Sequence, residues 1–220
     1  MSPRSGVAVA VGKFDALHLG HRALAERAAQ LGEPRLLRLT GLAEAFGWAA
    51  RAPLVAEDDR ARVLATWAVG EAGADFAALR GLDAAGFLDW LRASHAATAL
   101  VVGADFRCGR GRSAGVAELA PLCAARGMAL AVVAPVAVAG APASSSRIRA
   151  ALARGDVAEA VAVEITHADG IAQAAIGGLE LIAAEAVDQA ERPDGSTIRG
   201  TNHVGPTIAA GGLRQLVGPQ

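Results

Sequence analysis

Short apolar runs alternate along the first two thirds of the chain with longer segments whose apolar residues recur at helical spacing. Continuous apolar runs bounded by glycine or polar residues predict buried strands, and the longer amphipathic segments predict helices. The predicted strands are residues 7–11, 36–39, 76–79, 98–102 and 129–134. The predicted helices are residues 20–31, 57–69, 83–96, 116–125 and a last one that follows three serines and ends near residue 155. We expect a loop with a helical piece over residues 41–53.

Strands that alternate with helices indicate an α/β protein with a doubly wound, Rossmann-like parallel sheet. Ligands of such sheets bind outside the carboxyl ends of the strands, near the point where the strand order reverses. Three segments are placed to reach that edge, and we name them the first turn (residues 12–21), the second turn (103–112) and the third turn (143–149). After residue 153 the pattern loosens. The segments there that predict either strands or fraying helix are residues 165–167, 179–187 and 197–208.

Composition narrows the classes of function. A net charge of −1 over 220 residues argues against a nucleic-acid-binding protein that works by bulk electrostatics. The two cysteines, Cys108 and Cys123, form no disulfide framework and fit a reducing compartment. No apolar run approaches the ~20 residues of a membrane-spanning helix, so we expect no membrane association. The few residues before the first strand are too short for a targeting peptide, so any organelle address would be missing from this chain.

The first turn carries the strongest chemical pattern. The apolar strand breaks at Gly12, and His18 and His21 follow just before a helix begins. A strand, a glycine-bearing turn and a helix N-terminus together can hold phosphate through backbone N–H groups and the helix dipole. The three-residue spacing puts both histidines on one side of the helix, where they could reach the same bound group. The alternative is that they are ordinary surface or core histidines.

The second turn combines glycines with a basic run, Arg107, Arg110 and Arg112, close to Gly103 and Asp105. Glycines let a chain bend close to a ligand, and closely spaced arginines can fork onto phosphate oxygens. Taken alone, this segment is more typical of a solvated basic loop.

The third turn places Ser144, Ser145 and Ser146 before a helix that carries Arg149. Serine is the usual N-cap of a helix, so capping alone would explain the run. The functional alternative is a second phosphate nest of hydroxyls and N–H groups supported by Arg149. Together the three turns predict a nucleoside triphosphate site of a type that has no Walker lysine motif. The dinucleotide fingerprint after the first strand and zinc-type cysteine and histidine spacing are absent as well.

The pattern His18-Leu-Gly-His21 with Gly12-Lys-Phe-Asp15 resembles the HxGH nucleotidylyltransferases. The second and third turns narrow the resemblance to the FAD synthetase (FMN adenylyltransferase) branch, over about residues 7–156. Where that branch commonly has threonine, this chain has Ser146, which keeps a hydroxyl. The middle segment, residues 41–67, resembles the plant and algal plastid members.

The resemblance implies an HxGH-type sheet and the reaction FMN + ATP → FAD + pyrophosphate. It implies an adenylyltransferase domain over residues 1–156 and a degenerate C-terminal remnant over residues 157–220, without riboflavin kinase motifs or kinase activity. It also implies a chloroplast location, with the cytoplasm as the alternative. Two other functions stay open: transfer of a nucleotide to another phosphorylated substrate, and an inactive flavin- or nucleotide-binding protein.

The resemblance also implies site residues. The catalytic residues would be His18, His21 and Arg149, with the histidines as hydrogen-bond donors to the triphosphate and not as bases. The expected ATP-binding residues are Gly12, Phe14, Asp15, His18, His21, Gly103, Asp105, Ser145, Ser146 and Arg149. Lys13 is a weaker candidate for a phosphate contact, and Phe46 and Trp48 are flavin-ring candidates that could equally be packing residues. Mg²⁺ is expected with its ligands open, and Asp15 and Asp105 could instead support the loops.

Overall fold

The computed structural model describes residues 6–49 and 51–164. Its centre is a five-stranded sheet in which every neighbouring pair is parallel, in the order β3-β2-β1-β4-β5. The strands are β1 (Val7–Gly12), β2 (Glu33–Thr40), β3 (Gly70–Asp75), β4 (Ala97–Gly103) and β5 (Ala129–Val133). The predicted doubly wound α/β sheet is thus confirmed, and its strand order reverses between β1 and β4.

Helices cover both faces of this sheet. They are α1 (Leu19–Ala29), α2 (Leu42–Phe46), α3 (Glu57–Thr66), α4 (Phe76–Leu79), α5 (Ala84–His95), α6 (Val116–Ala124), α7 (Ser145–Ala153) and α8 (Val157–Glu164). A short hairpin, β6 (Ala137–Val138) and β7 (Ala141–Pro142), leads into α7. Within the described residues, no helix is long and apolar enough to span a membrane.

Side chains of β1 alternate between two cores. Ala8 and Ala10 face the core that contains α1 and α3, whereas Val9 and Val11 face the core that contains α5 and α6. Successive residues of a strand point to opposite faces, so the run Val-Ala-Val-Ala-Val gives one small and one bulky face. All four side chains are buried, which explains why a continuous apolar run predicted this central strand correctly.

The prediction of a strand at residues 76–79 is wrong, because that run forms helix α4 and the strand is the preceding segment, β3. The Asp75 carboxylate accepts a hydrogen bond from Ala77 N (2.9 Å) and caps the helix. As an edge strand, β3 pairs only with β2 and needs few apolar residues. Its sequence, Gly-Glu-Ala-Gly-Ala-Asp, therefore lacks the apolar pattern of a buried strand.

A third, smaller core joins α7 and α8 to the rest of the molecule. Ile148 and Leu152 pack with Ala160, with Leu54 of the middle segment and with Ala16 of the first turn. The predicted boundary after residue 156 falls between these two packed helices. Residues 165–220, with the three segments open to interpretation, lie outside the described residues.

Candidate active site

The first turn doubles back tightly after β1. Phe14 and Leu17 both adopt left-handed backbone conformations, with φ of 47° and 48°. The whole of Phe14 is buried, and a Cβ at Gly12 would lie only 3.2 Å from its ring. Glycine at position 12 therefore leaves space for the Phe14 ring beneath the turn.

His18 is itself the N-cap of α1. Its Nδ1 accepts a hydrogen bond from Gly20 N (3.1 Å), as a serine or aspartate oxygen does at other helices. Because Nδ1 is the acceptor, the neutral ring carries its proton on Nε2. A Cβ at Gly20 would lie 3.0 Å from His18 Cε1, which gives the glycine between the histidines a physical reason.

The two histidine rings lie side by side, as their spacing predicts. Their centroids are 3.7 Å apart with an angle of 20° between the planes, and Phe14 meets His21 edge to face at 5.0 Å. His21 Nδ1 is buried and has no hydrogen-bond partner among the described residues.

Both histidines are held neutral at pH 7. Burial lowers the pKa of His18 to about 4, against the opposing influence of Asp15. Burial also lowers the pKa of His21 well below 6.5, and the charges of His18 and Arg60 act in the same direction. Each ring is therefore a hydrogen-bond donor through an N–H group and carries no charge of its own.

Arg149 brings the third turn onto the first. Its Nη2 donates to Asp15 Oδ2 (2.9 Å) and to the carbonyl oxygen of Ala52 (2.8 Å) in the middle segment. On the same side, the Ala143 carbonyl oxygen would lie 3.8 Å from a Cβ at Gly20. Two predicted site residues that are 134 positions apart are thus joined directly.

The three serines divide their roles. Ser144 is the N-cap of α7, and its Oγ accepts from Arg147 N (3.2 Å), so capping explains this serine. Ser145 and Ser146 form the first turn of the helix, where backbone N–H groups lack intrahelical partners. Arg147 serves the structure, since it donates to two carbonyls of the β6–β7 hairpin segment and pairs with Glu159 (2.8 Å).

The second turn begins at the end of β4, next to the end of β1 in the sheet. Asp105 is exposed, and its Oδ1 would lie 3.1 Å from a Cβ at Gly103. Arg107 donates to the Arg112 carbonyl (2.8 Å) and Arg110 to the Gly81 carbonyl (3.2 Å). These arginines therefore bind backbone carbonyls and hold the shape of the loop.

The two flavin-ring candidates form an exposed aromatic pair. Phe46 and Trp48 are 49% and 51% exposed and stack with centroids 4.8 Å apart. Lys13 Nζ lies 4.8 Å from the centroid of the Trp48 ring, so the pair contacts the first turn. Neither side chain is a buried packing residue.

Sequence reasoning missed Arg60 and its partner Glu71. Arg60 is buried, and its Nη1 donates to the Phe14 carbonyl oxygen (2.6 Å). Its Nε reaches both Glu71 carboxylate oxygens at 3.0 and 2.8 Å, and Nη2 also contacts Oε1. A pattern in the sequence could have revealed it: an arginine stands in the apolar stripe of a helix, four residues before Leu64.

In the described part of the chain, no group of three or more histidine, cysteine, aspartate or glutamate side chains is arranged to hold a metal ion. Cys108 and Cys123 are free thiols, and burial raises the pKa of Cys108 to about 11. Cys108 lies within the second turn and Cys123 in α6, and the raised pKa of Cys108 keeps its thiol protonated at pH 7.

Comparison with known proteins decides the family. The model of the FAD synthetase family matches residues 1–147, well over half of the chain. The chain belongs to the FAD synthetase family. FAD synthetase 1, chloroplastic, of Arabidopsis thaliana is 38% identical over 180 residues, which are 71% of this chain and 51% of that protein. FAD synthetase 2, chloroplastic, of the same plant is 37% identical over 178 residues, 71% of this chain and 48% of that one.

This FAD synthetase family member thus spans about half the length of the curated relatives it matches. A solved structure described as a macrolide-efflux protein from Streptococcus pneumoniae superposes with a TM-score of 0.62. The likeness covers 72% of this chain and 55% of that one at 23% identity, and it bears on the fold alone.

Proposed function

We propose that this protein transfers AMP from ATP to FMN, giving FAD and pyrophosphate, and that it does not phosphorylate riboflavin. The observation that carries the proposal is the stacked, neutral pair His18 and His21 at the N-terminus of α1, joined to α7 by the Arg149–Asp15 contact. Membership of the FAD synthetase family supports FMN as the acceptor.

The reaction needs little acid–base chemistry from the protein. The FMN phosphate attacks the α-phosphorus of ATP, and a phosphate monoester with a second pKa of about 6 is already ionised at pH 7. A neutral histidine with its proton on Nε2 suits donation to a phosphate oxygen, and the lowered pKa of His18 favours that state. We therefore assign both histidines to stabilising charge on the α-phosphate and the leaving pyrophosphate.

Ser145, Ser146 and Arg149 would bind the β- and γ-phosphates. The first turn of α7 offers backbone N–H groups and a favourable helix dipole for anions. Among the described residues, Arg149 is oriented through Nη2 by Asp15 and Ala52, and a guanidinium has five N–H donors. Its remaining donors are therefore available for phosphate oxygens without loss of the contact that joins the two turns.

Mg²⁺ is proposed as a companion of ATP. Magnesium typically uses one or two carboxylates together with substrate phosphates and does not need a dedicated cage of protein ligands. Asp105 is an exposed carboxylate at this edge and forms no ion pair within the described ranges. When bound, the ion would neutralise part of the charge on the triphosphate.

The flavin ring is proposed to lie against Phe46 and Trp48. An exposed, stacked aromatic pair offers a flat apolar surface, and aromatic rings associate favourably by offset stacking.

A plastid location is also proposed, because both plant relatives are named as chloroplastic proteins. Subcellular fractionation of the source cells, with an antibody against this chain, would test it. Recovery in the cytosol would support the alternative instead.

The test of the reaction is to incubate the protein with ATP, Mg²⁺ and either FMN or riboflavin, and to separate the flavins by chromatography. FAD from FMN, and no product from riboflavin, is the expected result. ADP with FMN from riboflavin would show kinase activity and overturn that part of the proposal. No FAD from FMN would overturn the transfer itself, and release of pyrophosphate with another phosphorylated acceptor would then identify a relative of different specificity.

A further inference from the structure

Arg60 is a buried charged residue whose guanidinium N–H groups donate to the Glu71 carboxylate and to a backbone carbonyl oxygen. It lies on α3, in the apolar stripe that packs under the sheet, and only 3% of it is exposed. The guanidinium forks onto the Glu71 carboxylate on β3, and Nη1 donates to the Phe14 carbonyl oxygen at 2.6 Å. Glu71 is also approached by Arg38 at 3.7 Å.

The acceptor of Nη1 is an unusual backbone group. Phe14 has a φ of 47°, a conformation that is strained for a residue with a side chain. The hydrogen bond from Arg60 fixes the peptide that follows this residue, and the Phe14 ring in turn supports His21 edge to face. One continuous set of contacts therefore runs from Glu71 through Arg60 and Phe14 to the His21–His18 stack.

An apolar residue at position 60 would pack in the stripe without the desolvation that a buried ion pair requires. Buried pairs are weak sources of stability, so their value lies in geometry that apolar contacts do not provide. Here the guanidinium of Arg60 fixes two groups in defined positions. Its planar edge pairs with the Glu71 carboxylate, and Nη1 donates to the Phe14 carbonyl oxygen in the first turn.

We propose that Arg60 is a positioning residue for nucleotide transfer, which holds the first turn, and through Phe14 the two histidines, in the arrangement that meets the phosphates. The inference rests on the proposed function for its kinetic consequence, but the arrangement itself is a property of the free protein. The charged and titratable groups that face the histidine pair are Asp15 and Arg60.

Three variants test the role. Arg60→Met removes the charge and the donors, Arg60→Lys keeps the charge without the fork, and Glu71→Gln weakens the partner. We expect kcat to fall about 100-fold, 10-fold and 10-fold respectively, since small misplacements at a site have effects of this size. KM for ATP and FMN should change less than about threefold, because Arg60 is buried and its guanidinium donates to Glu71 and to the Phe14 carbonyl oxygen.

Arg126→Met is the matched control. Arg126 also forks onto a carboxylate, with Nε and Nη2 at 2.8 and 2.9 Å from the Asp89 oxygens, but it joins α5 to the end of α6. Its kcat should stay within about twofold of the wild type, as expected for a surface ion pair remote from the chemistry. Thermal unfolding of every variant measures the folded fraction, so that kcat is compared per folded molecule.

A second readout does not depend on turnover. In histidine-labelled protein, ring NMR signals followed from pH 8 to pH 4 should report a higher pKa for His21 in Arg60→Met than in the wild type, because one of the charges that lower it is gone. The His21 ring signals should also move in Arg60→Lys, where the support from Phe14 is altered.

Unchanged histidine signals together with losses of kcat that match only the folded fraction would overturn the proposal and leave Arg60 a stability residue. A wild-type protein that forms no FAD would overturn the proposed function instead. The histidine spectra would still decide whether Arg60 holds the turn, so the two failures are distinguishable.

Discussion

The first and third turns are both loops that lead into a helix N-terminus, yet they are built in opposite ways. In the first turn, the residue that caps the helix is the ligand candidate itself, His18, and its ring is held by stacking and burial. In the third turn, Ser144 caps the helix, and the partly buried Ser145 and the exposed Ser146 follow in its first turn. There the direct link to the first turn is an ionic contact, between Arg149 and Asp15.

The difference indicates a division of labour between the turns. Reorganising a buried stack of neutral rings costs free energy, so on the proposed function the first turn would stabilise the reacting phosphate in a fixed position. Partly exposed hydroxyls and an ion pair whose side chains are 23% and 33% exposed can adapt, which on the proposed function suits the binding of the outer phosphates of ATP. Substitutions in the first turn should therefore affect kcat, and those in the third turn should affect KM for ATP.

The largest effect is expected for His21→Ala. Loss of one donor to the transition state should lower kcat by about 100- to 1000-fold while circular dichroism shows an intact fold. His95→Ala is the control, since His95 also has a lowered pKa but stands at the end of α5. Near-wild-type turnover by His21→Ala would end the assignment of this histidine.

The pH dependence of stability tests whether His18 is buried in its neutral form. A folded pKa of about 4 against 6.5 unfolded means that the unfolded chain binds the proton first as pH falls. The contribution of neutral His18 to the free energy of unfolding is fully present above pH 6.5, and up to about 3 kcal/mol of it is lost as the pH falls towards 4. His18→Asn keeps a good N-cap and removes the titration, so its urea unfolding curves should depend less on pH in this window. Equal pH dependence in both proteins would contradict a neutral, buried His18.

Arg149→Lys should raise KM for ATP about 10- to 30-fold, because lysine cannot hold Asp15 and Ala52 and also fork onto phosphate. Arg147→Lys is the matched control from the same helix turn. It should lower the melting temperature through the β6–β7 hairpin and leave KM for ATP within about twofold. If both variants raised KM for ATP alike, the separation of the two arginines would be wrong.

Gly20→Ala is expected to have the smallest effect. The added Cβ would lie 3.0 Å from the His18 ring and push it from its capping position, with a loss in kcat of about tenfold. Gly81→Ala introduces a methyl group into open space and should leave kcat unchanged. A Gly20→Ala protein with wild-type kcat would show that His18 tolerates displacement.

Patterns within a single element predicted most of the fold. The buried run of β1 and the turn that follows it were located correctly because burial on both faces leaves a continuous apolar stretch. The edge strand β3 was missed because it has one neighbour and a polar sequence, while the apolar run of α4 resembled a strand. Local patterns fail to predict secondary structure where an edge strand pairs with a single neighbour, as in β3, or where a capping side chain starts a short helix, as in α4.

Contacts between segments that are distant along the chain could not be predicted from the sequence. Nothing in the third turn distinguishes Arg147, which holds a hairpin, from Arg149, which reaches Asp15 across 134 positions. Arg60 was overlooked among the many arginines of this chain, although its place in an apolar stripe set it apart. The residue types at the site were predictable, but their partners depended on the folded chain.

Adenylyl transfer and phosphoryl transfer differ in which phosphorus atom of ATP reaches the flavin. Two reactions with FMN and Mg²⁺ should be compared, one with ATP labelled at the α-phosphorus and one with ATP labelled at the γ-phosphorus. Adenylyl transfer predicts label in FAD from the α-labelled nucleotide, and label only in pyrophosphate from the γ-labelled one. A γ-label in any flavin, or no labelled flavin from either nucleotide, would contradict it.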